Sequence, residues 1–318
     1  MKAARLDPAP LLLTAAIAIA SLALIRSPST WATLTIAGLA MGLLIFIMAS
    51  GLTLVFGLMD VMNFAHGIFI AVGAYVAVST LKLAGPGMAA LAPAALAAML
   101  AAGLLGLVFE RVIVRPVYGQ HLKQILITTG GMIVAEQLIH VFWGPDLQPL
   151  PRPEALRGAI FLGDVAIEKY RLASVAVGLA VFAAMALVLN RTKLGLLIRA
   201  GVENGEMVEA MGYRIRRLFV GVFVAGSALA GLGGAMWGMY QEAVTVAIGA
   251  QMMVLIFIVI IIGGLGSVTG CFVGALLVGL VANYVGYLSP KVALGSNILL
   301  MVCVLLWRPR GLYPATKA

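Results

Sequence analysis

The sequence predicts an all-α polytopic membrane protein with about ten membrane-spanning helices. Three observations predict it. Of 318 residues, 63% are hydrophobic and only 10% charged, and the mean hydropathy is +1.10. A soluble domain carries about 25% charged residues, because its surface faces water. Several apolar runs are long enough to cross a hydrocarbon core of about 30 Å as a helix. The runs are continuously apolar and do not alternate with period two, which argues against a transmembrane barrel.

Ten spans follow in order, at about 9–26, 31–58, 63–81, 87–109, 124–143, 171–190, 218–240, 249–264, 270–288 and 292–307. The first is preceded by Lys2 and Arg5, as a secretory signal would be. Its apolar run from Pro8 to Ile25 is long for such a signal and reads as a retained extra helix within 1–30. Between the fifth and sixth spans, about 144–170, stand Pro145, Pro149, Pro151 and Pro153, a density that opposes regular helix. That loop reads as a stiff lid, a docking surface or a plain linker.

Charge orients the spans. With the N-terminus in the cytoplasm, fourteen of the 21 lysines and arginines fall in cytoplasmic segments, among them Arg111, Arg115, Arg191, Arg214, Arg216 and Arg217. Both termini are therefore expected inside, at the inner membrane of a bacterium. The same asymmetry accounts for the net charge of +9 without a nucleic-acid partner. Cys271 and Cys303 lie in apolar runs without CxxC spacing and read as buried thiols.

The loop 191–217 is the most informative soluble stretch. Asn204 is a fair N-cap, Glu206 and Glu209 suit a first turn, and Gly212 is a natural stop. Val208 and Met211, with Met207, predict an apolar stripe on a short helix at the membrane face. An interfacial helix on lipid headgroups has the same pattern.

A few polar residues fall within spans, where they are costly. Asn63 and His66, one turn apart at the start of the third span, either line or gate a path or hold a helix end. Glu136 and Gln137 lie in the middle of the fifth span and read as substrate-facing, as partner-facing or as hydrogen-bonded structural groups. Gly263, Gly264, Gly266 and Gly270 predict a tight turn; no Lys-Ser/Thr pair follows them, so they are not a phosphate loop. Segments 31–143 and 218–307 each hold four spans and enter the membrane in opposite directions, which suggests an inverted repeat.

Several motifs carry a family resemblance. Gly51-Leu-Thr-Leu-Val-Phe-Gly-Leu-Met-Asp-Val-Met-Asn-Phe-Ala-His-Gly67 and Gly73-Ala-Tyr75 resemble the signature of LivH-type permeases of branched-chain amino acid ABC transporters. Glu110-Arg111, Arg115-Pro116, Thr128-Thr129-Gly130, the stretch from Ala228 to Gly238, and Gly263 to Gly270 are similar to the same family. The likeness covers about 36–310. Ile68 stands where the family commonly has an acidic residue, and Ala37-Gly38 replaces an Asn-Gly pair.

The resemblance implies an ABC importer permease fold over a single domain, 1–318, with a cytoplasmic coupling loop at 191–217. It implies that Glu203, Asn204, Glu206, Met207, Ala210, Met211 and Gly212 form a coupling helix on an ATPase subunit. It implies a substrate path near Asn63, His66, Gly67, Glu136 and Gln137. The expected partners are a second, LivM-like permease or another copy of this chain, two cytoplasmic ATPases and a periplasmic solute-binding protein. No cofactor is expected on this chain; ATP and magnesium belong to the ATPases. A secondary transporter would instead carry paired coupling carboxylates, yet only Glu136 is clearly mid-span. An embedded enzyme would cluster its polar groups, and the three histidines, at 66, 121 and 140, are far apart in the chain.

Overall fold

The computed structural model describes residues 8–85 and 87–314, apart from the side chains of Val202, Glu203 and Leu294. Lys2, Arg5 and Lys317, three of the fourteen cationic residues assigned to the cytoplasm, lie outside the described residues. The helices are α1 (Ala9–Ile25), α2 (Pro28–Met59), α3 (His66–Ala84), α4 (Met88–Phe109), α5 (His121–Trp143) and α6 (Lys169–Arg191). They continue as α7 (Lys193–Glu203), α8 (Gly205–Ala210), α9 (Ile215–Gln241), α10 (Ile248–Gly263), α11 (Val268–Leu288) and α12 (Pro290–Trp307). Among the described residues, seven helices are long and apolar enough to cross a membrane, and three shorter apolar ones lie within α1, α10 and α12. Together they occupy the ten segments expected, and the chain is a multi-pass membrane protein.

Local chemistry sets the helix ends. Ser27 Oγ accepts from Thr30 N at 3.4 Å, and Pro28 opens α2 where its missing N–H costs nothing. Ser267 Oγ accepts from Gly270 N at 3.1 Å to start α11. Between α10 and α11, Gly264 and Gly266 adopt φ of +101° and +76°, a left-handed turn that side chains with a Cβ avoid. After α4 the helix widens into a π-turn, Glu110–Val114, followed by a 3-10 turn, Arg115–Val117.

The core is built by exchange between the two halves. Helix α2 packs along α11 as α9 packs along α4; α3 packs on α4 as α10 does on α11; α5 leans on α3 as α12 does on α10. Swapping α2, α3, α4 and α5 for α9, α10, α11 and α12 maps these three pairings onto one another, as an inverted repeat predicts. The match is not complete, because α12 also packs on α11 where α5 does not pack along α4. The close approaches obey the same exchange. A Cβ on Gly42 would lie 2.6 Å from the Ala275 carbonyl oxygen, and one on Gly231 would lie 2.6 Å from that of Ala98. At the centre α2 and α9 cross backbone to backbone at Gly51 and Gly226, where a Cβ on Gly226 would lie 2.7 Å from the Gly51 oxygen. In lipid, where apolar burial gives little drive, such small-residue crossings let dispersion hold helices together.

The expected irregular loop 144–170 contains short strands. β2 (Ala159–Leu162) and β3 (Val165–Glu168) form an antiparallel hairpin that turns at Gly163, φ +61°. β1 (Gln148–Pro149) pairs with β4 (Ala243–Val244), the segment just after α9. One end of the bundle therefore carries this hairpin, and the other carries α7 and α8.

Candidate functional site

The sequence-selected residues fall into three places. The first is the joint between α2 and α3, at the α8 end. Helix α2 stops at Asp60, which has φ +50°, and the chain runs without helix to Ala65. Irregular backbone at membrane depth is tolerated only where protein satisfies it. Here α5 does so: Met62 N donates to Gln124 Oε1 at 3.3 Å and Phe64 N to Thr128 Oγ1 at 3.2 Å. Asn63 turns its own Oδ1 onto Ala65 N at 3.1 Å. Gln124 also donates to the Val117 carbonyl at 3.1 Å, which ties the turn after α4 to the same joint.

Asn63 and His66 are both 1% exposed. A carbonyl can only accept, so His66 Nε2 donates to the Met48 oxygen, 3.0 Å away on α2, and its ring meets Phe69 edge-on. Gly67 touches α10: a Cβ there would lie 2.6 Å from the Gly249 oxygen. The joint thus fixes α3 against α2, α5 and α10 at once.

The second place is α5. Glu136 lies two turns beyond Thr128, about 12 Å along the helix at its usual rise, so the structure does not bring it to the joint. Its Oε1 is buried and has no hydrogen-bond partner among the described residues, while Gln137 is exposed. Ile133, Val134, Leu138 and Val141 on this helix are exposed as well. Glu136 and Gln137 therefore sit on a helix that the chain itself leaves largely uncovered.

The third place is the linker between α6 and α9. It holds two helices where the sequence suggested one. Thr192 Oγ1 accepts from Gly195 N at 3.3 Å to start α7, and Asn204 Oδ1 accepts from Met207 N at 2.9 Å to start α8. Gly212, φ +87°, ends the turn after α8. Glu203 is the last residue of α7, and its side chain lies outside the described residues.

The apolar stripe expected on α8 is divided. Val208 is 2% exposed, whereas Met207 and Met211 are 60% and 59% exposed. A helix of six residues presents only one side to its neighbour, and Val208 occupies it; positions 207 and 211, four apart, share an outward face. Glu206, Glu209 and Ala210 are exposed beside them.

Sequence reading missed one residue at the opposite end. Arg152 donates from Nε to the Met239 carbonyl at 2.9 Å and from Nη2 to the Tyr240 carbonyl at 2.5 Å. It also meets Glu168 at 3.1 Å and Glu242 at 3.2 Å, and its guanidinium lies 5.1 Å from the Tyr170 ring centroid. A cation is favourable at a helix C-terminus, and here it closes α9 while pinning the proline-rich loop. Nothing local in the sequence separates Arg152 from the neighbouring Arg157.

Comparison with known proteins adds the family. The family described as branched-chain amino acid transport system, permease component, matches residues 34–306. The BraD permease protein of a high-affinity branched-chain amino acid transport system from Pseudomonas aeruginosa is 30% identical over 290 residues, covering 86% of this chain and 93% of the relative. The LivH permease protein of Salmonella typhimurium is 27% identical over 286 residues, covering 86% and 92%. A probable LivH permease from Methanocaldococcus jannaschii is 24% identical over 301 residues, covering 85% and 88%.

Proposed function

Because the chain belongs to the family of permease components of branched-chain amino acid transport systems, we propose that it is the membrane subunit of an ATP-driven importer. The solute is a branched-chain amino acid or a similarly small polar molecule such as an amide or urea. The observation that carries the reading is α8: a capped helix set apart from the bundle, anchored by Val208, with Glu206, Met207, Ala210 and Met211 turned outward. An exposed pair of methionines flanked by carboxylates suits a protein groove better than an anionic membrane surface, which favours Lys and Arg.

In this proposal α8 seats in a cytoplasmic ATPase, and two ATPases serve a pair of permeases around a central path. The second permease is LivM-like or another copy of this chain. It covers the open face of α5, where Glu136 and Gln137 meet the path, while Asn63, His66 and Gly67 hold the α3 end that α8 moves against. A periplasmic solute-binding protein docks on the hairpin end. ATP binding changes transport only by favouring one state of the path over the other. The α8 end is then cytoplasmic, with both termini inside the inner membrane, as the lysine and arginine bias requires.

Co-purification tests it. The chain, expressed with its neighbouring genes, should retain an ATPase in detergent, and Glu206→Arg with Met207→Asp should release it while the permease stays folded. Retention of the ATPase by this variant would remove α8 as the contact.

A further inference from the structure

At the α8 end, beside the π-turn that follows α4, a cavity of about 580 Å³ opens between that turn and the start of α9. Arg111, Arg115, Arg216 and Arg217 line it, with Glu110 and Tyr118. Four guanidiniums face one carboxylate, and that carboxylate is already engaged: Glu110 Oε1 accepts from the Tyr118 hydroxyl at 2.5 Å. Glu110 is 1% exposed, and its Oε2 is buried without a hydrogen-bond partner among the described residues. Among the described residues no acidic group lies within ion-pair distance of any of the four arginines. Arg216 and Arg217 also stand in the first turn of α9, where the helix dipole favours negative charge over positive. The surplus of positive charge is built in by the fold and left unanswered by the described residues.

The surroundings indicate what answers it. Leu96, Leu100, Leu104, Val108 and Val112 are all exposed, at spacings of four along α4 and into the π-turn. They form an apolar ridge that runs along the helix up to the arginines. Fork-shaped guanidiniums match the oxygens of phosphate, and basic pockets between helices at the cytoplasmic boundary suit lipid headgroups. We propose that this cavity binds the phosphate of an anionic phospholipid, with the acyl chains lying along the ridge of α4. In the orientation proposed above the lipid comes from the cytoplasmic leaflet; the site itself does not depend on the transport reading. Because Arg216 and Arg217 follow α8 after only a short turn, the bound lipid steadies the base of that linker.

The test uses the purified full chain in detergent, titrated with phosphatidylglycerol or phosphatidylcholine and read by native mass spectrometry. Wild type should prefer phosphatidylglycerol. Arg111→Gln with Arg216→Gln should bind it about thirtyfold more weakly, the loss expected for two such groups near an anionic surface. A control, Arg191→Gln with Arg199→Gln, removes the same charge from the same end and should keep the preference. If the double variant folds poorly, Arg111→Lys with Arg216→Lys retains the charge and should still lose part of the preference with the guanidinium forks. Equal losses in the pocket variant and the control would overturn the proposal. Glycerol phosphate that displaces phosphatidylglycerol at equal concentration would assign the cavity to a free phosphate compound and overturn the lipid. An ATPase partner that abolishes lipid binding and is itself lost with the arginines would make them a protein contact, and overturn it too.

Discussion

At the scale of single residues, the α2–α3 joint shows how polar groups within a membrane protein are made tolerable. Gln124 satisfies Met62 N–H and the Val117 carbonyl with one side chain. Gln124→Leu leaves both backbone groups unpaired while keeping the volume, and should cost roughly 1–3 kcal/mol; thermal unfolding in detergent should show a lowered Tm. His66→Ala removes the bond to Met48 and opens space against Phe69, and should destabilise by a similar amount in the same measurement. A lowered Tm with His66→Ala but unchanged solute affinity would assign it to the joint. Arg152 makes the corresponding case at the hairpin end. Arg152→Ala strands the α9 carbonyls and two carboxylates, at a cost of about 2 kcal/mol, and should speed proteolysis within 144–170. These partners were not legible in the sequence. Asn63 and His66 are visible as polar residues at a span boundary, but Gln124 and Thr128 reach their backbone partners from 62 and 64 positions away. Only the tertiary fold pairs them.

At the scale of elements, legibility followed the range of the signal. The spans are runs of apolar residues and need only length and composition, so all ten emerged. Caps are local too: Asn204 and the positive-φ glycines 212, 264 and 266 stop or start helices where their chemistry says they should. The small strands did not emerge, because β1 finds its partner β4 almost a hundred residues later and β2–β3 is too short to show alternation. The stripe on α8 was misassigned because a helix of six residues has no periodicity to average over; which side is buried depends on where α9 lies. The corrected assignment separates two substitutions. Val208→Asp places a charge in the contact that anchors α8 and should lower Tm by several degrees for a cost of roughly 2 kcal/mol. Met207→Asp, on the outward face, should leave Tm unchanged and weaken only what binds there.

At the scale of the whole molecule, the exchange of contacts between α2–α5 and α9–α12 means that each half completes the other's packing. Disruption at the shared axis should therefore not be local. Gly226→Leu forces α2 and α9 apart at their crossing and should abolish folded yield, whereas Gly221→Leu, where an added Cβ meets nothing, should be tolerated. Monodispersity in size-exclusion chromatography distinguishes the two. The proposed orientation is tested at the two ends of the bundle: a single cysteine at Met211 should react with an impermeant reagent from the cytoplasmic side only, and one at Leu162, exposed on the hairpin, from the opposite side only. The central claim is that this bundle carries solute under the control of an ATPase seated on α8. Its most direct test is leucine uptake into proteoliposomes containing the chain, its partner permease and ATPases, with the solute-binding protein outside and ATP within. Uptake should require ATP and the ATPases and should fall to background with Glu206→Arg and Met207→Asp, while the permease stays folded. Uptake by the chain alone on an ion gradient, unchanged by those substitutions, would contradict the account and make the protein a self-sufficient secondary transporter.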